Sequence, residues 1–371
     1  MVKPVERPCL QRENSLLPAT HQPFIWLLFL LGLPHLAGAI LFYSTGDPAH
    51  NTTAPTGALT NSGWQFQGTW GAYLGTPLAS KYFITAAHVG GSVGDQFSFR
   101  GVNYTTTAMF DDPNSDLRLW RICGTFPEYA LPYSRSNEKS KPVVVFGRGT
   151  QRGAEVLVSD GLSTTLKGWM WGAADGVQRW GTNLVTAIVQ GNLLNCSFDA
   201  SGGADEAHLS VGDSGGGVFM RDGTVWKLAG LNLGVDGPYN TSTNGAGFFA
   251  AIFDEGGLYT LVSSVSTNWV LTPDLPVDVP GGFYATRIST SMSWIDGVLQ
   301  GPANDPPPSL LSASSLPGPY VDTPGAVVDP NAKSVTVPAP PDTRFYRLKA
   351  CDLLRITGIF VAGPSLVLNY E

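Results

Sequence analysis

The sequence predicts an all-β fold, a sandwich or a barrel. Three observations carry the prediction. Between Gly63 and about Leu299, short runs rich in β-formers recur, each broken by Gly, Asn, Asp or Pro. Glycine (44) and proline (28) are abundant while only 14% of the 371 residues are charged, a mix suited to strands and turns rather than a helical bundle. A single segment, Ser289–Leu299, stands apart with helical spacing.

Taken in chain order, residues 1–39 read as a targeting segment. Lys3, Arg7 and Arg12 lie in a polar start, Phe24–Leu33 is an apolar run, and Ala37-Gly-Ala39 follows Pro34. Charged, apolar and small-residue regions in that order make a secretory signal. It implies a secreted or periplasmic mature chain. The alternative is a membrane anchor, since Phe24 to Tyr43 has about the 20 residues a span requires. Pro34 and His35 interrupt that span. A membrane partner follows only if the segment stays uncleaved.

Residues 40–300 hold the strands. Lys81-Tyr-Phe-Ile-Thr85, Asp116-Leu-Arg-Leu-Trp-Arg-Ile122, Pro142-Val-Val-Val-Phe146 and Gly217-Val-Phe-Met220 are typical runs. Leu117 and Leu119 alternate with Arg118, as in a strand with one side in the core. In the closing helix, Met292, Trp294, Ile295, Val298 and Leu299 fall on one face. Residues 301–341 contain 11 of the 28 prolines and read as a stiff linker rather than a packed element. Residues 342–371 read as a small β appendage, with further runs at Arg344–Leu348, Ile356–Val361 and Leu366–Leu368. A fourth run, Ser334–Val337, overlaps the end of the linker.

A net charge of −7 and the lack of a basic stretch argue against a nucleic-acid partner. Once Cys9 leaves with the leader, Cys123, Cys196 and Cys351 remain, so at most one internal bridge forms. The core must therefore carry stability itself. No cluster has metal-ligand spacing, and no metal or other cofactor is expected.

The stretch Val211-Gly-Asp-Ser-Gly-Gly-Gly-Val-Phe219 crowds one serine among glycines. Glycine permits unusual backbone angles and close approach, which suits a nucleophilic serine in a tight turn. A glycine-rich surface loop is the bland alternative. A serine nucleophile needs a base, and the base needs an orienting acid. All five histidines precede Ser214. This excludes the order Ser, acid, His that an α/β-hydrolase requires around G-x-S-x-G. His88, at the end of the apolar run Phe83-Ile-Thr-Ala-Ala-His88, is the candidate base. Between them, Phe110-Asp-Asp-Pro-Asn-Ser-Asp116 supplies three acids. Asp116 opens a strand and is the first choice. Asp111 and Asp112 precede Pro113 in an expected turn and are expected to be solvated.

With these residues in hand, the chain resembles the trypsin/chymotrypsin-type serine proteases. Thr85-Ala-Ala-His88 is similar to the family's histidine motif, Asp116-Leu-Arg-Leu119 to its aspartate motif and Gly212-Asp-Ser-Gly-Gly216 to its serine motif. Phe146-Gly-Arg-Gly-Thr150 resembles the turn opening the second barrel. Gly282–Ser289 with Trp294-Ile295 resembles the last strand and terminal helix. The resemblance spans residues 63–299, in order. It implies two six-stranded antiparallel barrels with His88, Asp116 and Ser214 in the cleft between them. It also implies an oxyanion hole from the backbone N–H groups of Gly212 and Ser214, and peptide or protein substrates. In members activated by cleavage, a new N-terminal amine pairs with the aspartate before the nucleophile, here Asp213. Cleavage after Ala39 would expose Ile40-Leu41, although no basic residue precedes the bond and the usual glycine pair does not follow it. The chain departs from the pattern at Val89, where animal members have cysteine. Its scarce cysteines and leader resemble bacterial members. Residues 235–280 exceed the family's usual length and are expected to elaborate a loop near the cleft.

By the same resemblance, the residue six before the nucleophile floors the specificity pocket, and that residue is His208. Gly234 and Gly282 are expected along its walls. An imidazole cannot compensate a desolvated basic side chain, so cleavage after non-basic residues is expected. Apolar side chains are the first choice, and acidic ones become possible if His208 is protonated. Asp205 and Glu206 are the acids a shifted loop would offer instead. Two other functions stay open: a non-catalytic, protease-like binding protein, and an esterase on the same fold.

Overall fold

The computed structural model describes residues 40–261, 268–301, 305–352 and 354–371. The leader read at residues 1–39 lies outside them. The first described element is β1 (Leu41–Phe42).

Six strands then close the first barrel: β2 (Gly68–Trp70), β3 (Tyr73–Ala79), β4 (Tyr82–Ala86), β5 (Gln96–Phe99), β6 (Val102–Asp111) and β7 (Leu117–Ile122). They pair antiparallel in the cyclic order β2-β3-β4-β7-β6-β5. Aromatic side chains fill the interior: Trp70, Phe83, Phe97, Phe99 and Trp120 are buried together. Phe83 and Phe97 stack with centroids 3.9 Å apart. The pleat sends neighbouring residues to opposite faces. On β4, Phe83 points into the barrel and Ile84 out toward the second barrel; on β7, Trp120 and Leu119 divide in the same way. Most of β7 is therefore buried on both faces, not on one.

The second half runs through β8 (Pro142–Gly147), β9 (Thr150–Ser159), β10 (Thr164–Ala174), β11 (Arg179–Val189), β12 (Leu193–Ser197), β13 (Ala207–His208), β14 (Gly217–Asp222) and β15 (Val225–Val235). It continues through β16 (Tyr239–Asn240), β17 (Ala250–Ile252), β18 (Tyr259–Leu261), β19 (Trp269–Leu271) and β20 (Gly282–Arg287). The second barrel closes as β11-β12-β20-β15-β14-β8. On β8, Val143 and Val145 enter this barrel while Val144 and Phe146 meet the first. A strand covered on both sides reads as an unbroken apolar run, as Pro142–Phe146 does. The two-barrel architecture implied by the resemblance is present.

The segment 235–280 builds outward rather than forming one loop. β17 joins β9 and β10 in one small sheet, and β16, β18 and β19 form another. Buried Lys167 pins this region through Asp254 and, at 2.9 Å, Asp274. A short turn at Ser289–Ser291 leads into helix α1 (Met292–Leu299). The apolar face read from the sequence packs between the barrels: Ile295 is fully buried among Leu74, Leu117, Phe146 and Leu231, with Met292, Trp294, Val298 and Leu299 around it. Glu138, between the barrels, accepts two hydrogen bonds of 2.7 Å from Arg287, at the end of β20. Both groups are buried, so the pair fixes the connection where a lone charge would be costly.

The proline-rich stretch is not a bare linker. It carries β21 (Ser309–Ala313), β22 (Val321–Asp322), β23 (Val327–Asp329) and β24 (Ser334–Pro338), which pair with the later strands β25 (Phe345–Lys349), β26 (Ile356–Ala362) and β27 (Ser365–Tyr370). Most of its prolines fall in turns between short strands, where a missing N–H costs no ladder bond. Leu310, Val335, Val337 and Leu368 form a separate small core. The appendage is fastened to the first barrel by the disulfide Cys123–Cys351. Lys81 adds ion pairs to Asp305 (2.8 Å) and Asp352 (2.9 Å). Cys196 is free and buried. Among the described residues, no helix is long and apolar enough to cross a membrane.

Candidate active site

β4 ends at Ala86, and one further turn brings His88 into the space between the barrels. Its partner opens β7, the strand hydrogen-bonded alongside: Ala86 faces Leu117, so Asp116 falls beside Ala87. The Ala87 N–H donates to the Asp116 carbonyl at 2.9 Å. Both carboxylate oxygens of Asp116 are directed at His88. Oδ1 accepts from the His88 N–H at 2.9 Å, and Oδ2 lies 2.5 Å from His88 Nδ1. The two side chains are each 17% exposed, open enough to be reached and closed enough for the pair to hold its geometry. With Nδ1–H donated to Asp116, Nε2 is left as the basic nitrogen.

The other two acids of the turn are placed differently. Asp111 is exposed and paired with Arg118 at 2.5 Å. Asp112 is buried, against the expectation of a solvated group. It accepts from the Asn114 N–H (3.0 Å), the Ser115 hydroxyl (2.7 Å) and the Ser291 hydroxyl (2.5 Å). The last of these ties the turn to the segment entering α1, a contact across 179 residues of chain that no local pattern announces.

Ser214 sits in the tight turn between Ser210 and Gly217. Gly212 has φ +95° and Gly215 φ +74°, a region L-residues rarely occupy. The turn packs on the strand that carries His88: a Cβ on Gly215 would lie 2.2 Å from Thr85 Oγ1 and 3.3 Å from the Ala86 nitrogen. Most of its backbone donors are used. Asp213 donates to Ser210 O, Gly215 to Asn232 O, Gly216 to Asp213 O and Gly217 to the Gln67 side chain. Among the described residues, the N–H groups of Val211, Gly212 and Ser214 have no acceptor, and no hydrogen bond joins the Ser214 hydroxyl to His88. Such bonds commonly tighten only when substrate binds.

Asp213 anchors the turn from below and is almost fully buried. It accepts from the Gly149 N–H (2.6 Å), the Ser210 N–H (2.7 Å) and the Ser210 hydroxyl (2.9 Å). The backbone of Ile40 lies close enough to favour its ionised form. Ile40 is itself buried, and Leu41 pairs with His208 across β1 and β13. Burial pushes the Asp213 carboxyl up to about 7, because neutral donors only partly replace lost hydration.

The three residues expected at the specificity pocket come together. Gly234 pairs with Tyr284 across β15 and β20, the Asp236 N–H donates to Gly282 O at 2.9 Å, and His208 Nε2 lies 3.2 Å from the same carbonyl. His208 is fully buried, and its Nδ1 lies 2.8 Å from Leu209 O. Burial pushes its imidazole down to about 4, so it is neutral near pH 7 and offers no cation to an acidic side chain. Asp205 and Glu206 turn elsewhere. Asp205 binds His50 and Asn51 at 2.9 Å, and Glu206 accepts from Asn183 and from the Asp199 N–H.

Sequence reasoning missed several supports of this site. Gln67, which receives Gly217 and donates to Thr76 at 3.1 Å, and Asn232, which donates to Phe146 O and Asp213 O, carry no local signal. Ser210 was within reach of a pattern, standing three residues before Asp213 in the same turn. Among the described residues, no group of three or more His, Cys, Asp or Glu side chains is arranged to hold a metal ion. No family model and no curated protein sequence matches the chain.

Proposed function

We propose that the chain is a serine endopeptidase of the trypsin/chymotrypsin type, cleaving peptide bonds in exported surroundings. One observation carries the reading: in the turn around Ser214, the backbone N–H groups of Gly212 and Ser214 are among the three left without acceptors, beside that of Val211, while the His88–Asp116 pair is delivered by the strand against which that turn packs. A nucleophile, a paired base and two free donors are the parts acyl transfer requires.

In this reading Ser214 Oγ attacks the carbonyl carbon, and its proton passes to His88 Nε2. Asp116 holds the imidazole in the tautomer with hydrogen on Nδ1 and stabilises the imidazolium. The carbonyl oxygen becomes an oxyanion and accepts from the Gly212 and Ser214 N–H groups, each such donor contributing about 10²–10³ in rate. The C–N bond breaks as His88 returns its proton to the leaving amine. Water then repeats the sequence on the acyl-enzyme and frees Ser214.

The burial of Ile40 supports a maturation step within the same reading. Ile40 already lies in the second-barrel core, beside Asp213 at Gly147. Cleavage after Ala39 converts its N–H into an ammonium and gives the buried carboxyl its counter-charge, so that removal of the leader yields the competent enzyme.

A fluorophosphonate probe tests the reading. It labels one serine of the mature protein, and Ser214→Ala abolishes the label while a matched amide substrate loses turnover. Absence of labelling in the wild type, or labelling that survives in Ser214→Ala, overturns it.

A further inference from the structure

We propose that Asp112 is a positioning residue for Asp116: its buried carboxylate, anchored on the segment entering α1, holds the loop from which Asp116 meets His88. The inference rests on the peptidase reading above and concerns the geometry of the base that reading uses.

Asp116 needs such support. Among the described residues its carboxylate bonds only to His88, through the His88 N–H and Nδ1. Its place is therefore set by the backbone on either side. On one side lies Leu117, paired with Ala86 at the start of β7. On the other lies the loop 112–115 between β6 and β7. Pro113 and Asn114 are exposed there, and Pro113 has no N–H to give. A displacement of about 1 Å at an active site costs up to about 10²-fold in rate. A loop with solvent on one face is a poor mount for Asp116 unless it is anchored elsewhere.

Asp112 is that anchor. Its Oδ1 accepts from the Asn114 N–H at 3.0 Å and its Oδ2 from the Ser115 hydroxyl at 2.7 Å, so both residues between Pro113 and Asp116 bond to it. Its backbone closes the loop: the Asp112 N–H donates to Leu117 O at 2.9 Å, and the Ser115 N–H donates to Asp112 O at 3.5 Å. The fixed point lies outside the loop. Ser291 stands at the N-cap of α1, where a serine side chain ordinarily accepts from the helix's first N–H groups. Here it makes no such bond, and its hydroxyl donates instead to Asp112 Oδ2 at 2.5 Å. Asp112 and Ser291 are both buried, and α1 is held between the barrels by fully buried Ile295. The helix that closes the second barrel thereby steadies the acid on the first.

The test reads the His88–Asp116 hydrogen bond itself. In proton NMR at low pH, the hydrogen on Nδ1 of a protonated histidine bonded to a carboxylate resonates far downfield. Steady-state kinetics on an amide substrate run in parallel. Asp112→Ala moves that resonance upfield or broadens it away, and lowers kcat about 10- to 100-fold with KM within about threefold of wild type. Asp112→Asn recovers most of both, because its amide accepts from Asn114 and donates to the two serine hydroxyls. Ser291→Ala keeps the carboxylate, removes its outside anchor and lowers kcat several-fold. It stands in for Asp112→Ala should that variant lose its near-ultraviolet circular dichroism. An unchanged resonance and kcat in Asp112→Ala, or in Ser291→Ala where it stands in, overturns the proposal. So does Asp112→Asn as impaired as Asp112→Ala, which assigns the effect to charge rather than position. The resonance is read without turnover, so a failed peptidase reading shows as unlabelled Ser214, and a failed positioning role as a resonance indifferent to Asp112.

Discussion

The buried contact between Ile40 and Asp213 predicts how stability depends on pH before and after the leader is removed. In the extended chain the Asp213 carboxyl rises from the usual 3.8 to about 7, through burial. A raised acid contributes stability that is fully present below about pH 4 and is lost as pH rises through 7. A shift of about 3 units corresponds to about 4 kcal/mol. In a chain that begins at Ile40, the α-ammonium replaces the backbone N–H beside Asp213, and the carboxyl ionises at low pH. That loss then vanishes, less what it costs to desolvate the ammonium. Glu206, raised to about 8 by burial, lies in both forms and cancels in the difference. The assay is thermal unfolding of the two chains at intervals from pH 4 to pH 8. The processed form should gain on the extended form as pH rises, reaching several degrees by pH 7.5. Asp213→Asn should remove most of the difference. Parallel curves for the two chains would refute the reasoning, because they would mean that the Ile40 amine does not reach Asp213.

Three further outcomes are expected. Asp116→Asn lowers kcat about 10⁴-fold, whereas Asp111→Asn, exposed beside Arg118, stays close to wild type; steady-state kinetics separate the two. Gly212→Ala forces a Cβ onto φ +95°, and turnover falls at least about 10²-fold while fluorophosphonate labelling slows in parallel. Cys123→Ser unties the appendage from the first barrel at a cost of about 2–4 kcal/mol, so that limited proteolysis releases the appendage earlier than in wild type.

Much of the site was legible because its requirements are local. The Ser214 turn needs glycine where φ is positive, and His88 needs a β-rich run to carry it to the barrel edge. Asp116 needs to open the adjacent strand, and each requirement is written in contiguous residues. The barrels were legible for the same reason, since short β-runs and frequent turns are local facts. The expected linker shows the limit of composition: eleven prolines in residues 301–341 suggested an unpacked stretch, yet between them Leu310, Val335 and Val337 find a common core. Asp112 was read as solvated because it precedes Pro113 in an expected turn, but Ser291, distant in sequence, buries it. His208 was assigned a pocket role by its count from Ser214, while its ring is closed between the carbonyls of Leu209 and Gly282. Backbone conformation and the order of reactive groups are properties of short segments, and the sequence by itself determined them. Burial, charge compensation and the identity of neighbours depend on which distant segments pack together, and only the tertiary structure decided those.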